Sequence, residues 1–191
     1  MEGDIFSEVE AQSRRLGLPP GFYDKLVEED DWSFVNKLNA LVEAACSDAL
    51  AARLHEPALV PLLATLDLGH SKHGKVALLR ALGAIKKEQA SVLQMLYELR
   101  NKLAHNIGHV AFTFDAYIQS LDKRQLTQFA ALAGHGIKDD VDGLPRSSFV
   151  TDNPKIAIWL TISEILACLH LEHDVAKSRL LSLALKTLKD D

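Results

Sequence analysis

Residues 34–52 read FVNKLNALVEAACSDALAA, and this stretch decides the fold class. Its apolar residues recur at the i, i+3, i+4 and i+7 spacing of a helix that buries one face. They are Phe34, Val35, Leu38, Leu41, Val42, Ala45, Ala49 and Ala52. The pattern predicts one long amphipathic helix over residues from about 31 to 55, which Pro57 ends because proline interrupts helical hydrogen bonding.

Similar periodicity predicts helices over most of the chain. We expect further helices at residues 58–68, at 72–85 and from about Glu88 onward, where Val92, Leu96, Leu99 and Leu103 share one face. The alternation of Phe112, Phe114 and Tyr117 with polar residues fits a short strand or an irregular helix start, and we favour a helix.

Proline and glycine residues predict where helices begin and end in the N-terminal and C-terminal parts of the chain. Pro19-Pro20-Gly21 predicts a break between one or two small helices in the first 30 residues, and the glycine- and aspartate-rich residues 134–153 predict a loop. Asn153-Pro154 predicts the start of two helices that reach about residue 188. We therefore expect a single all-α domain over residues 1–191, with its core at about 31–121, the loop at 134–153 and C-terminal helices at 154–190.

Composition sets the class of protein. The 191 residues are 48% apolar and 25% charged, which is the range of ordinary globular domains. Cys46 and Cys168 each lie in an apolar helical stretch, so we expect buried thiols in a reducing, cytoplasmic compartment.

The acidic N-terminus predicts no signal peptide. The longest uncharged apolar runs flank Glu164 and fall short of the ~20 residues that cross a bilayer, so we expect no membrane insertion.

The segment Leu99-Arg100-Asn101-Lys102-Leu103-Ala104-His105-Asn106 carries the clearest chemical pattern. The guanidinium of Arg100 is a permanently charged fork that suits a phosphodiester, and an unperturbed histidine titrates near pH ~6.5 and can exchange a proton at neutrality. On an ideal helix the two side chains point ~140° apart, and His105 falls opposite the apolar stripe of Leu96 and Leu103. The two side chains can therefore converge only if the last turn of the helix is distorted or if they come from two different subunits. The alternative is an ordinary ion pair at Arg100 and a histidine that caps helix carbonyls.

This pattern resembles the Arg-x4-6-His signature of the HEPN superfamily, many of whose members cut RNA without a metal. A wider stretch, roughly residues 34–121, resembles the mannitol operon repressor family, whose motif reads close to Arg-Asn-x-Phe-Ala-His; here Leu103 replaces the phenylalanine. The segment from Gly74 to Ile85 resembles the same family. The resemblance implies an HEPN-like helical bundle with additional N- and C-terminal helices.

The resemblance also implies a mechanism. His105 would be the acid or base, Arg100 the phosphate clamp, and Asn101 a residue that orients the histidine or holds the phosphate. In the superfamily the cleft forms where two copies of the motif helix meet, so a homodimer is expected, and no cofactor is required. The second function is that of the mannitol operon repressor family, a non-catalytic transcriptional regulator that binds a protein partner.

Residues 70–105 carry seven lysines and arginines against two glutamates, although the whole chain has a net charge of −5. A protein that binds RNA needs such a basic surface, and the candidate RNA-binding residues are Lys72, Lys75, Lys87 and Lys102. The alternative is that these lysines solvate the outer faces of helices.

Three further patterns are read as structural. The run from Gly69 to Lys75 has the glycine and lysine spacing of a phosphate-binding loop but Val76 where a magnesium-binding Ser or Thr belongs. The pairs His70/His73 and His170/His173 have no evident third ligand, so we expect no metal site. Trp32 and Trp159 adjoin apolar helical positions and are predicted to anchor a core or an interface.

Overall fold

The computed structural model describes residues 5–104, 107–141 and 143–190. Over these residues the fold is all-α, apart from one two-stranded hairpin. The helices are α1 (Ile5–Arg15), α2 (Phe22–Lys25), α3 (Asp31–Arg53), α4 (Val60–Ala64), α5 (Lys75–Ala81), α6 (Lys87–Ala104), α7 (Phe114–Ser120), α8 (Lys123–Ala133), α9 (Arg146–Asp152) and α10 (Pro154–Asp190). Single 3₁₀ turns cover Leu26–Glu28, Pro57–Leu59 and Ile107–Ala111.

Helix α3 forms the centre of the core, as its sequence pattern predicts. Asp30 caps the helix because its side chain accepts a hydrogen bond from the backbone N–H of Ser33. The predicted stripe is buried: Phe34, Val35, Leu38 and Val42 are inaccessible to solvent. Helix α10 packs along α3 and α1, while α4, α5 and α6 pack on other parts of α3. The broad apolar face of α3 is therefore covered on several sides.

Helix α6 buries the predicted face. Val92, Leu96, Leu99 and Leu103 are all at most 5% exposed. Phe114 begins α7, so the helical interpretation of the segment with Phe112 and Tyr117 is confirmed from that residue onward. The opposite face of α6 stays open to solvent and to the groove described below.

Two predicted helices are shorter than expected. The segment 58–68 is a 3₁₀ turn followed by α4, which ends at Ala64. The segment 72–85 is helical only from Lys75 to Ala81. Before the helix, the ring Nδ1 of His70 accepts the backbone N–H groups of Lys72 and His73, so these residues form a turn. After it, Gly83 adopts a positive φ of 68°, which ends the helix.

Two other predictions need correction. The expected loop 134–153 contains a hairpin of Asp140–Val141 and Leu144–Pro145, followed by α9. The expected pair of C-terminal helices is one helix of 37 residues, because no glycine or proline after Pro154 interrupts it.

The segment Pro154–Ala176 of α10 is long and apolar enough to cross a membrane by length and composition, with a mean hydropathy of 1.4. The expectation that its apolar runs are too short counted Glu164 as a break, whereas the helix continues through that residue. The segment packs on α3 and α1 and buries Ile158, Ile162 and Ile165 completely or nearly so. This is the packing of a core helix.

Candidate functional site

The C-terminal end of α6 presents the predicted Arg100 and Asn101 together. Both are partly exposed, and the guanidinium Nη1 of Arg100 donates a hydrogen bond of 3.0 Å to Oδ1 of Asn101. Among residues 5–104, 107–141 and 143–190, no carboxylate forms an ion pair with Arg100, so the alternative of an ordinary ion pair is not observed there. His105 lies outside the described residues, and its role and its orientation relative to Arg100 remain predictions.

Two residues that sequence reasoning missed extend this cluster. The hydroxyl of Tyr97 donates a hydrogen bond of 2.6 Å to Oδ2 of Asp67, whose Oδ1 accepts the backbone N–H of Gly69 at 2.8 Å. The bond from Tyr97 is the main cause of a lowered pKa at Asp67, and it also raises the pKa of Tyr97, which Asn101 and Arg100 lower in turn.

We call Asp67, Tyr97, Arg100 and Asn101 the Arg100 cluster. A sequence signal for part of it exists, since Tyr97 precedes Asn101 by one helical turn. Asp67 is 30 residues away from Tyr97 in sequence, so no local sequence pattern indicates that the two side chains meet. The loop after Asp67 lies directly on the tyrosine ring: a Cβ atom at Gly69 would lie 2.3 Å from a ring carbon of Tyr97.

A groove of about 850 Å³ lies along the open face of α6. One wall consists of the 69–71 loop and α5, the other of α7 and α8, and Met95 and Phe129 supply apolar surface inside it. The helical spacing of the sequence predicts that His105 lies on this same face of α6. We call this feature the α6 groove.

The α6 groove carries more positive than negative side chains. Arg80, Lys87 and Lys102 line it and are exposed, whereas Glu98 is the one carboxylate in the part of its lining that the structure describes. The ammonium of Lys102 lies 5.6 Å from the centroid of the Tyr117 ring, a cation–π distance. Two of the predicted RNA-binding lysines, Lys87 and Lys102, are therefore brought together in one concave surface.

The other two predicted lysines behave differently. Lys72 is exposed but does not line the groove. Lys75 is 1% exposed; its Nζ donates a hydrogen bond of 3.3 Å to the carbonyl of Ala64 and lies 3.9 Å from Oε1 of Glu43. The assignment of Lys75 to RNA binding is therefore corrected: the first residue of α5 is buried where α5 packs on α3, and its ammonium cannot reach a phosphate.

The paired histidines have structural partners. The rings of His70 and His73 stack with centroids 3.5 Å apart, while His170 contacts Gln12 and Glu8 of α1. Burial lowers the pKa of His170. Within the described residues, no group of three or more His, Cys, Asp and Glu side chains could hold a metal.

Trp159 and the two cysteines lie in or against the core. Trp159 stacks on Phe6 and Tyr23, and its indole N–H donates a hydrogen bond to the carbonyl of Tyr23, so it is an anchor between α10 and the N-terminal helices. Cys46 is fully buried and Cys168 is partly buried, and both are free thiols.

Comparison with known proteins gives no relative from which a function could be transferred: no family model, no curated protein and no solved structure matches this chain.

Proposed function

We propose that this chain is an HEPN-like, RNA-directed protein and a candidate metal-independent endoribonuclease that acts as a homodimer through Arg100 and His105. The observation that supports the proposal is the state of Arg100: its guanidinium is partly exposed, is oriented by Asn101 and has no carboxylate partner among the described residues. Such a cation is available to bind a phosphate with two parallel hydrogen bonds.

In the proposed reaction His105 removes the proton from a ribose 2′-hydroxyl. The 2′-oxygen forms a bond to the adjacent phosphorus, the bond from phosphorus to the 5′-oxygen breaks, and the leaving oxygen takes up a proton from water. The products are a 2′,3′-cyclic phosphate and a free 5′-hydroxyl. Arg100 stabilises the negative charge on the phosphate oxygens. Since Oδ1 of Asn101 accepts a hydrogen bond from Arg100, we assign Asn101 to positioning that guanidinium.

A dimer belongs to the proposal because one chain supplies a single such histidine. Two copies of α6 related by a two-fold axis would bring two sets of Arg100 and His105 into one cleft, with both subunits using the same surface. The basic α6 groove leads along the same helix and supplies further positive charge.

The test is cleavage of a labelled single-stranded RNA in the presence of EDTA. We expect His105→Ala and Arg100→Ala each to lower the rate by at least about 100-fold, which is the typical contribution of one acid–base or charge-stabilising group. The matched control is His55→Asn, since His55 is exposed and adopts a positive φ of 56° that asparagine tolerates. Cleavage that persists in His105→Ala with unchanged rate would refute the assignment.

The second candidate is the non-catalytic regulator. It is favoured by two exposed apolar side chains: Leu54 is 46% exposed and Leu82 39%, and Arg53, the sequence neighbour of Leu54, donates a hydrogen bond to the carbonyl of Leu82. Wild-type protein without nuclease activity, together with a stoichiometric protein partner that is lost in Leu54→Ser, would support this function instead.

A further inference from the structure

We infer that the α6 groove binds single-stranded RNA, with its phosphates on Arg80, Lys87 and Lys102 and a base on Tyr117. This inference rests on the proposed function and deepens it, because it separates the surface that holds the strand from the residues that would cut it. Three observations carry it: the arrangement of charge, the aromatic ring and the apolar surface between them.

The cations are spaced along the length of the groove. Lys87 and Lys102 lie at the first and the last turns of α6, and a separation of 15 residues corresponds to about 22 Å along the helix axis. Arg80 adds a third cation from α5 on the opposite wall. Positive charge at both ends of an elongated groove suits a polyanionic strand better than it suits a single small anion.

Tyr117 provides a surface for a base. Its ring lines the groove and packs edge-on against Phe129, with centroids 5.7 Å apart, so its orientation is fixed. Lys102 lies over this ring, which places a cation for a phosphate next to a platform for a base. Base stacking on an aromatic ring requires unpaired bases and tolerates any sequence, so a single strand is the matching ligand.

The interior of the groove distinguishes RNA from an acidic peptide. Met95, Leu121 and Phe129 present apolar surface between the cations, and the amides of Gln125 and Gln128 lie among the lining residues. Planar bases bury apolar surface and carry both donors and acceptors for amides, whereas an ionised carboxylate buries little apolar surface and can only accept. Glu98, the acidic residue of the lining, would repel a phosphate or a carboxylate alike.

The experiment measures binding separately from cleavage. In a His105→Ala background, the anisotropy of a fluorescein-labelled 12-nucleotide single-stranded RNA reports affinity without cleavage. We expect Lys87→Gln and Lys102→Gln each to weaken binding about 3- to 10-fold and to lower the slope of log affinity against log salt by about 0.7 per lost phosphate contact. The matched control is Lys86→Gln, because Lys86 is an exposed neighbour of Lys87 that does not line the groove.

Two further variants address charge and stacking. Glu98→Gln removes the repelling carboxylate but keeps an acceptor for Gln94, and it should tighten binding by about two- to five-fold. Tyr117→Phe keeps the ring and should bind like the parent, whereas Tyr117→Leu keeps an apolar side chain of similar reach and should weaken binding several-fold. Circular dichroism of each variant verifies that the helical fold is retained.

The outcomes separate the inference from the proposed function. Binding that is weakened in Lys87→Gln and Lys102→Gln but unchanged in Lys86→Gln supports the inference, even where wild-type protein cleaves no RNA and the nuclease proposal fails. Binding that is indifferent to all groove variants overturns the inference, even where cleavage depends on His105. Absence of RNA binding, or equal displacement of the RNA by polyglutamate, also overturns it.

Discussion

Two lysines of one short segment have opposite environments in this protein. Lys72 and Lys75 are three positions apart, yet Lys72 is exposed while Lys75 is buried next to Glu43 and the carbonyl of Ala64. The cost of burying the ammonium is offset by these two partners, and such a pair favours one arrangement of α5 on α3 rather than adding much stability. Residue type alone therefore does not decide which lysines form a functional surface.

Cys46 gives a prediction about alkaline pH. Burial raises the pKa of its thiol from an ordinary value of 9.0 to about 12, and Lys75 acts in the opposite direction. Above pH 9 the unfolded chain releases this proton while the folded chain retains it, so ionisation favours the unfolded state. The free energy of unfolding should therefore fall between pH 9 and 12, with a limiting slope of ~1.4 kcal/mol per pH unit from this group.

The measurement is urea unfolding at pH 8.0, 9.5 and 10.5 for the wild type and for Cys46→Ala. Other groups, including the buried Tyr23 whose pKa is also raised by burial, titrate in both proteins, so the difference between the two isolates Cys46. We expect the wild type to lose more stability than the variant as the pH rises. Parallel pH profiles would contradict a buried, protonated thiol.

At the scale of elements, hydrogen bonds between distant segments fix how the helices meet. The hydroxyl of Tyr23 donates a hydrogen bond of 2.6 Å to the carbonyl of Trp159, and the ammonium of Lys155 contacts both Asp31 and the carbonyl of Glu29. These contacts join α10 to the N-terminal helices and to the start of α3. Hydrogen bonds and an ion pair, as well as apolar contacts, therefore favour a single packing arrangement of these helices.

Thr161 gives a prediction at the contact between α10 and the end of α8. Its buried Oγ1 lies 2.7 Å from the carbonyl oxygen of Ala133 and 2.9 Å from that of His135. Thr161→Val would remove the one hydroxyl proton that these two carbonyls share, so we expect the free energy of unfolding to fall by ~1–3 kcal/mol. Urea unfolding at neutral pH measures the change. Thr161→Ser keeps the hydroxyl and should lose less stability than Thr161→Val; equal losses would show that packing and not hydrogen bonding matters here.

At the scale of the whole molecule, charge is unevenly distributed. The chain has a net charge of −5, while the α6 groove concentrates Arg80, Lys87 and Lys102 in one surface. Long-range electrostatics would therefore repel nucleic acids in general, and attraction should be confined to ligands that can enter the groove. This arrangement favours selective over bulk binding of polyanions.

The corresponding prediction concerns the form of the nucleic acid. At about 150 mM salt, we expect single-stranded RNA to bind at least about 10-fold more tightly than duplex DNA of the same length, because the paired bases of a duplex cannot stack on Tyr117. Competition with unlabelled duplex in the anisotropy assay measures the ratio. Equal competition by the duplex would show that net local charge, and not the shape of the groove, determines binding.

The local pattern of the sequence was sufficient for the helical class and for the buried faces of α3 and α6. Helical periodicity is a local property, so Phe34, Leu38 and Val42 in α3 and Leu96 in α6 could be placed in the core without knowing their neighbours. The break at Pro19-Pro20-Gly21 and the start of α10 at Pro154 follow from the local conformational limits of proline. The hydrogen bond between Arg100 and Asn101 was not predicted: the sequence assigned Asn101 to the histidine or the phosphate, and adjacent side chains on a helix do not ordinarily face each other.

Only the tertiary structure decided which polar groups meet and which are removed from water. The bond between Asp67 and Tyr97, the burial of Lys75 and the closing of the α6 groove by α5 on one wall and α8 on the other each depend on contacts between elements far apart in sequence. The physical reason is that desolvation and ion pairing are set by the three-dimensional neighbours of a group, whereas helix formation depends on residues within one or two turns.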